Sequence, residues 1–283
     1  MHEQRRATVI GAAGFIGRHL SRHLRDAGYE VREATREHPE ALDAAPGHVF
    51  YCAGLTADYA QRPHDTVDAH VALLSRVLRR GQFDSLVYLS STRLYDGSLA
   101  DTADEGTALA LDPRQPRHLY DLSKALGEAL CQAAGAGRAR VARLSCVYRG
   151  ADDADGFLPQ LLRGVPQALA RAEHGQTPRL QLATTPHAAR DYVHLDDVLH
   201  ALTLIATRGT QPVYNVASGR NVGNRELFAR LRELSGCEVM ASRRDIVRPA
   251  PRIDISRMRR EFAWQPADLL DKLAELLPEP ALC

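Results

Sequence analysis

The apolar residues of the chain fall into short runs that are separated by longer amphipathic stretches. Each run is rich in β-branched or aromatic residues and ends in small or polar ones, which is the pattern of a buried β-strand. The runs of this kind are ATVIGAAG (7–14), YEVREAT (29–35), HVFYCAG (48–54), SLVYLSS (85–91), RVARLSCVY (140–148) and PVYNVAS (212–218). We therefore predict a sheet of buried strands.

The stretches between these runs have the periodicity of amphipathic helices. In RHLSRHLRDAG (18–28), Leu20 and Leu24 share one face, and Gly28 stands where a helix C-cap is expected. Two further helices are predicted, over TVDAHVALLSRVLRRG (66–81) and RHLYDLSKALGEAL (117–130). Because strands and helices alternate, we predict an α/β fold with a parallel sheet and helices on both of its faces.

The alternation loosens after about residue 150. There, GFLPQLLRGVPQALARAEHG (156–175) and NRELFARLRELSG (224–236) predict helices of a smaller, mixed α/β C-terminal part. No internal repeat or flexible linker separates the two parts, so we expect them to share an interface. We assign residues 1–150, with elements from about 190–217, to the first part and 151–283 mainly to the second.

Composition and charge narrow the class of protein. The chain has 283 residues, of which 45% are hydrophobic and 25% charged, and its formal net charge is +1, so no overall field attracts nucleic acid or a membrane. Its five cysteines are scattered and lack CxxC spacing, which argues for a reducing compartment without a disulfide framework or zinc site. The N-terminus lacks a signal-peptide core, and no apolar run has membrane-spanning length. We expect a cytoplasmic protein with no metal, nucleic-acid or membrane partner.

A glycine-rich loop, GAAGFIGRHL, follows the first predicted strand directly. Gly11 permits a tight turn, Gly14 allows a phosphate to approach the backbone, and Gly17 allows the helix to pack closely on the strand. The free N–H groups at the helix start, near Phe15 and Ile16, would face a pyrophosphate, which the helix dipole favours. Between a buried strand and an amphipathic helix, this spacing predicts a Rossmann-type, doubly wound dinucleotide-binding domain over residues 1–150.

The end of the second predicted strand bears on the choice of cofactor. An Asp or Glu there would bind the 2′-hydroxyl of NAD, whereas an arginine accommodates the 2′-phosphate of NADP. The chain has Arg36 at this point, with Glu33 inside the strand and Glu37 one residue late. NADP(H) is therefore favoured, NAD(H) stays possible, and the alternative for Arg36 is a solvated loop arginine.

Tyr120 and Lys124 are four residues apart in the third predicted helix, which places both side chains on one face. A free tyrosine has a pKa of about 10, and a neighbouring cation lowers that pKa, as a general acid/base tyrosine requires. The alternative is a surface tyrosine beside an unrelated lysine.

With both motifs on one chain, the sequence resembles an extended short-chain dehydrogenase/reductase of the nucleotide-sugar epimerase/dehydratase/reductase branch. The resemblance runs almost end to end. TVIGAAGFIGRHL is similar to the family's cofactor loop, VFYCAG, with Ala53, to its fourth strand, YDLSK to its YxxxK motif, and LVYLSSTRLYDG to its serine segment. ARDYVHLDDV, VYNVASGRNV and IDISRMRREFAWQP resemble C-terminal segments of its sugar-nucleotide members.

The resemblance implies roles for individual residues. Ser91 would hydrogen-bond the reacting oxygen of the substrate, Tyr120 would transfer the proton, and Lys124 would lower the pKa of Tyr120 and hold the nicotinamide ribose. Arg190 and, in a segment that looks shortened, Arg248 would contact the pyrophosphate of a nucleotide-sugar substrate. The alternative for Arg248 is a surface arginine.

The sequence also departs from the family pattern. Only EHPEALDAAPGH (37–48) follows Arg36 before the fourth strand, too little for the family's third strand, so the adenine pocket is expected to be more open. Cys146 takes the place of a substrate-contacting Asn, Arg149 that of a Gly, and His70 that of an Asn in the second helix. For Cys146 we favour a buried structural cysteine over a reactive thiol, because no cationic partner is evident in the sequence.

The family's 4,6-dehydratases carry an Asp-Glu pair directly after the catalytic Ser/Thr, where this chain has Thr92 and Arg93. We therefore expect a ketoreductase that uses NADPH, with an NAD-dependent nucleotide-sugar 4-epimerase as the alternative. An NAD(P)-binding sensor or scaffold without catalysis is a third interpretation. The resemblance further implies a homodimer through the helices around 66–80 and 119–134.

Overall fold

A parallel sheet forms the centre of the computed structural model, which describes residues 5–35, 47–153, 156–173 and 175–277. Its six strands, in spatial order, are β10-β6-β4-β3-β1-β2, and every neighbouring pair is parallel. The bounds are β1 (Arg6–Ile10), β2 (Glu30–Ala34), β3 (His48–Tyr51), β4 (Ser85–Ser91), β6 (Ala139–Leu144) and β10 (Val213–Val216). All six come from the predicted runs.

The helices lie on both sides of this sheet and in the C-terminal part. They are α1 (Phe15–Asp26), α2 (Pro63–Val67), α3 (Leu73–Arg80), α4 (His118–Ala134), α5 (Phe157–Arg171), α6 (Leu195–Arg208), α7 (Asn224–Ser235), α8 (Ser256–Phe262) and α9 (Leu269–Leu276). One π-helical turn, Asp68–Ala72, joins α2 to α3, and a 3₁₀ turn, Thr92–Tyr95, follows β4. Among the described residues, no helix combines the length and the apolar character that crossing a membrane requires.

The alternation of side chains along the strands explains why both faces of the sheet are covered. Val9 and Val87 point into a core that α1 and α6 complete. Their neighbours Ile10 and Tyr88 point into a second core, completed by α3 and α4. The sheet is therefore doubly wound, as predicted.

Three smaller sheets complete the fold. Strands β7, β9 and β11 form one mixed sheet, β8 pairs with β12, and β5 pairs with β13. Their bounds are β5 (Thr102–Ala103), β7 (Cys146–Tyr148), β8 (Arg179–Leu182), β9 (Ala189–His194), β11 (Asn221–Gly223), β12 (Glu238–Ala241) and β13 (Arg252–Ile253). The run predicted as one strand over 140–148 is thus two strands, because the chain leaves the central sheet after Leu144 and joins another sheet at Cys146.

Helix α1 ends at the predicted glycine. Gly28 has a φ of +81°, its N–H donates to Arg25 O, and the N–H of Tyr29 donates to Leu24 O. These two bonds form a Schellman motif, which glycine adopts without steric cost. The chain then turns into β2, which forms one edge of the central sheet as the structure describes it, with β10 at the other edge. Residues 36–46, which include Arg36 and the shortened segment, lie outside the described residues.

Candidate functional site

The carboxyl ends of β1, β4 and β6 open into a cavity of about 710 Å³. This is the edge of a parallel sheet at which doubly wound proteins bind ligands. The central sheet and the C-terminal part both contribute to its wall. The residues that line this cavity include Gly14, Phe15, Ile16, Cys52, His70, Ser91, Thr92, Arg93, Tyr120, Lys124, Cys146, Arg190, Asn221 and Ala250.

The glycine loop forms one wall, and its backbone is closely packed. Gly11 has a φ of +81°, and its N–H donates to Ala34 O at 3.0 Å. A Cβ at Gly11 would lie 2.7 Å from the nitrogen of Ala53, and a Cβ at Gly17 would overlap Gly11 O. Ala53 therefore lies behind the loop rather than on the cavity wall, and supports the loop from there.

The start of α1 leaves room for an anion. Gly14 is the N-cap, no side chain caps the helix, and its first turn contains no acidic residue. Because the first N–H groups of a helix lack intrahelical acceptors, the backbone at Phe15 and Ile16 presents donors and a positive dipole end to the cavity. The loop thus fits the pyrophosphate of a dinucleotide.

The structure brings Ser91, Tyr120 and Lys124 together on the wall of the cavity. Tyr120 is buried, and the Ser91 hydroxyl is a polar neighbour of its phenol. Burial raises the pKa of Tyr120 above its ordinary value, while the Ser91 hydroxyl and the charge of Arg93 act in the opposite direction. The three predicted catalytic residues therefore form one group.

Lys124 behaves differently from expectation. Its Nζ donates to Leu89 O at 2.9 Å and lies 6.0 Å from the centroid of the Tyr120 ring. Burial lowers the pKa of Lys124 to about 7, although Cys52 and Glu128 act against this shift. The lysine is thus a weaker cation towards the phenol than its sequence spacing suggests.

Arg93 is a close neighbour of the phenol that the sequence did not indicate. Its guanidinium carbon lies 4.7 Å from the centroid of the Tyr120 ring and 5.5 Å from that of Tyr59. In the sequence, Arg93 stands out only because it occupies a position where the family's 4,6-dehydratases carry a carboxylate. Its position two residues after Ser91, just past a strand end, is the signal that could have placed it beside the phenol.

His70 completes the surroundings of the phenol. Its ring meets the Tyr120 ring edge to face at a centroid distance of 5.4 Å. Nε2 accepts a hydrogen bond from the N–H of Leu55, so Nδ1 carries the proton and donates to Ser123 Oγ at 2.8 Å. Burial and the charge of Lys124 lower the pKa of His70 to about 3, so the ring is neutral. The His70 ring therefore packs directly against the site.

Cys146 and Arg190 both line the cavity. Cys146 is solvent-exposed there, so the prediction of a buried structural cysteine is wrong. The reason is that β7, which begins with this residue, has left the central sheet. Surrounding protein nevertheless raises the pKa of the Cys146 thiol to about 11, against the charge of Arg190, so the thiol is neutral and unreactive. Arg190 lies 3.9 Å from Asp96 and keeps about half of its side chain exposed.

Arg248, one of the predicted binding residues, does not line the cavity. Arg248 is exposed and donates to Leu99 O at 2.9 Å, and only its neighbours Ala250 and Pro251 line the cavity. Its segment has no helix or strand to direct the side chain inward. Arg36 lies outside the described residues. Within the described ranges, no group of His, Cys, Asp or Glu side chains is arranged to hold a metal ion.

Family, sequence and structure comparisons all relate this chain to enzymes that act on nucleotide sugars. Residues 7–217 match the model of the NAD dependent epimerase/dehydratase family. The chain is 25% identical to dTDP-4-dehydro-6-deoxy-D-allose reductase of Streptomyces bikiniensis, covering 96% of this chain and 94% of the relative. It is 29% identical to GDP-6-deoxy-D-mannose reductase of Pseudomonas aeruginosa, over 90% and 85% of the two chains. The structure of RMD from Pseudomonas aeruginosa complexed with NADPH superposes with a TM-score of 0.73 at 25% identity, over 97% of each chain.

Proposed function

Because the chain belongs to the NAD-dependent epimerase/dehydratase family, we propose that it reduces a keto group on the sugar of a nucleotide-activated sugar with NADPH. The observation that carries this proposal is the meeting of Ser91, Tyr120 and Lys124 at the sheet edge, in the cavity that the glycine loop also lines. Both characterised relatives described above are reductases of deoxysugar nucleotides.

The residues divide the work of such a reduction. The bound cofactor supplies the hydride that the carbonyl carbon accepts. Ser91 holds the carbonyl oxygen, and Tyr120 gives that oxygen its phenolic proton. Lys124, with a pKa of about 7, can carry a proton or release one near neutral pH. Thr92 and Arg93 also line the cavity, and neither supplies the carboxylate that water elimination needs.

We also propose a division of labour along the chain. Residues 1–150 with elements from about 190–217 would bind the cofactor, and 151–283 would mainly bind the substrate. In support, β10 and α6 pack into the central sheet, while Arg190, Asn221 and Ala250 line the cavity from outside it. Arg190 keeps an exposed guanidinium fork that suits a diphosphate.

The second candidate is an NAD-dependent 4-epimerase, because the same three residues serve hydride removal and return. UDP-glucose 4-epimerase of Azospirillum brasilense is another relative, at 28% identity over 94% of this chain and 89% of the relative. The presence of the complete proton-transfer group argues against a non-catalytic sensor.

The experiment that distinguishes reductase from epimerase is mass spectrometry of protein purified without added cofactor, followed by assays with dTDP-, GDP- and UDP-linked 4-keto hexoses. Exchangeable NADPH and its oxidation on a keto-sugar support the reductase; tightly retained NAD with interconversion of 4-hydroxyl epimers supports the epimerase.

NADPH should bind at least about tenfold more tightly than NADH, because charge-assisted hydrogen bonds from Arg36 to a 2′-phosphate contribute roughly 1.5–3 kcal/mol each. In support, Glu33 pairs with Arg25 at 2.8 Å, so the one carboxylate inside β2 near this point is engaged. Fluorescence titration of both cofactors against wild type and Arg36→Ala checks this. The variant should lose most of the preference at nearly unchanged NADH affinity; a wild type that prefers NADH would reject NADPH as the cofactor.

A twofold homodimer is expected, with α4 and the helix containing α2 and α3 at its interface. Leu126 on α4 is 51% exposed and Val67 on α2 is 41% exposed, on two helices that pack side by side. An isologous contact would bury both. Light scattering at micromolar concentration should give the mass of a dimer, and Leu126→Glu should give a monomer. A wild type that stays monomeric would contradict the assembly.

A cytoplasmic location also belongs to the proposal. The four cysteines in the described part of the chain are free thiols, as expected in a reducing compartment.

A further inference from the structure

We propose that Arg93 is the positioning residue that stabilises the negative charge left on Tyr120 after the phenol has given up its proton, the role that the Tyr-Lys spacing assigned to Lys124. This inference rests on the proposed oxidoreductase function, for which Tyr120 is the proton donor. It does not depend on which sugar is reduced or on the choice between reductase and epimerase.

The local backbone fixes Arg93 relative to the other catalytic groups. Ser91 is the N-cap of the 3₁₀ turn that follows β4, and its Oγ accepts a hydrogen bond from the N–H of Arg93 at 3.2 Å. The residue that holds the substrate oxygen and the residue that carries the charge are therefore set by one turn. Any shift of this turn moves both together.

Two aromatic rings hold the guanidinium in place. It lies over Tyr120 at 4.7 Å and over Tyr59 at 5.5 Å, and the two ring centroids are themselves 5.5 Å apart. A cation over a ring face is attracted by the negative face of the ring, and the attraction grows when the phenol becomes a phenolate.

The charge of Arg93 persists at any pH at which the protein is folded. Burial lowers the pKa of Arg93, but the neighbouring Tyr59 side chain and the charges of Asp121 and Tyr120 outweigh burial and raise it. Lys124, in contrast, lies farther from the ring, at 6.0 Å, and burial lowers its pKa to about 7. Of these two cations, only Arg93 is fully charged at neutral and alkaline pH.

The other groups around Tyr120 supply no competing positive charge. From the π-helical turn, His70 is neutral, and from β7, Cys146 is a neutral thiol. From α4, Asp121 is buried with Oδ1 lacking a hydrogen-bond partner among the described atoms, and its charge opposes the phenolate. The neutral Ser91 hydroxyl lowers the pKa of Tyr120 without adding a charge. Arg93 is thus the positively charged group that acts against burial and Asp121, although burial still raises the pKa of Tyr120 overall.

The proposed reduction creates a negative charge on Tyr120, next to the positive charge of Arg93. Hydride adds to the carbonyl carbon, the π pair of the C=O bond moves to oxygen, and the O–H bond of Tyr120 breaks as its proton joins that oxygen. The electron pair of the broken bond stays on Tyr120 as phenolate. Arg93 faces that charge until a proton from solvent restores the phenol.

The test titrates Tyr120 directly and needs no substrate. The nine tyrosines are replaced by 3-fluorotyrosine, whose lower phenol pKa keeps the titration within the folded range, and the ¹⁹F signal of Tyr120 is identified by its loss in Tyr120→Phe. Arg93→Met should move the titration midpoint upward by about one to three pH units. Arg93→Lys should move it less. Arg190→Met, which removes a cation from the same cavity away from the phenol, should leave it unchanged.

A comparison with Lys124→Met decides between the two cations. The proposal requires Arg93→Met to shift the midpoint by more than Lys124→Met does. An unmoved midpoint in Arg93→Met, or an equal or larger shift in Lys124→Met, overturns it. Should Arg93→Met not fold, Arg93→Gln keeps a polar side chain without the charge and gives the same test. Because the readout is the phenol itself, inactivity towards every nucleotide sugar tested would reject the proposed function and leave this result standing.

Discussion

Tyr120→Phe is expected to lower turnover by about 10²-fold or more, the usual contribution of a positioned general acid or base. The ring keeps its contacts with His70 and Tyr59, so the fold and the cofactor affinity should be retained. Only the phenolic hydroxyl, which has Ser91 as a polar neighbour, is lost. Turnover is measured on the best substrate of the nucleotide-sugar panel, with cofactor affinity followed by fluorescence.

Tyr148→Phe provides a matched control. Tyr148 is as buried as Tyr120, but its hydroxyl has no hydrogen-bond partner among the described atoms, and the residue does not line the cavity. Its removal should therefore leave turnover near the wild-type value. If Tyr120→Phe resembled this control, the phenol would have no part in proton transfer.

Glu128→Gln is expected to lower the free energy of unfolding by about 3–5 kcal/mol, because it leaves a buried guanidinium without its counter-charge. Arg143 donates to Glu128 through Nε at 2.9 Å and Nη2 at 2.6 Å, and the two side chains are only 6% and 8% exposed. Ser90 donates to the same carboxylate at 2.5 Å, and Arg143 donates to Tyr95 at 2.6 Å.

Urea denaturation measures the effect, and the chain offers two controls. Glu33→Gln removes an exposed partner of Arg25 and should cost less than about 1 kcal/mol. The double change of Glu128 to Leu and Arg143 to Met should recover much of the loss, since no unpaired charge remains. A cost for Glu128→Gln no larger than that for Glu33→Gln would show that the buried pair is not important for stability.

The hydrogen bonds of Glu128 also explain how the proposed catalytic residues on different elements stay in register. Tyr120, Lys124 and Glu128 follow one another at intervals of four along one face of α4. Glu128 is bonded to Ser90, which precedes Ser91 in β4. The Ser90–Glu128 hydrogen bond therefore anchors the helix of the phenol to the strand of the serine, and the ion pair anchors the same helix to β6.

Local patterns carried the predictions that succeeded. The six central strands are short runs rich in β-branched and aromatic residues, and the glycine loop is formed by a few consecutive residues. Both could therefore be predicted from the sequence. The Tyr120–Lys124 spacing correctly placed the two residues on one helix face. It could not give the balance between burial and charge, which depends on elements far away in the chain.

Contacts between distant segments account for what the sequence missed. Arg93 is beside Tyr120 only because the end of β4 and the start of α4 meet at the same sheet edge. Cys146 is exposed because one apparent strand divides between two sheets after Leu144. The position of Arg248 depends on a segment without regular structure, for which periodicity gives no guidance.

The π-helical turn between α2 and α3 gives this helix one residue more than regular α-helical winding needs. In a regular α-helix each added or lost residue rotates the following chain by about 100°, which would turn Leu74, Val77 and Leu78 away from the sheet against which they are buried. The π turn holds the additional residue instead, so an in-frame loss of one codon within 68–72 should restore an α turn and leave these three residues against the sheet. Single-residue deletions should consequently be more frequent in this turn than elsewhere in α2 and α3 of related genes, with His70 as the exception because of its contact with Tyr120.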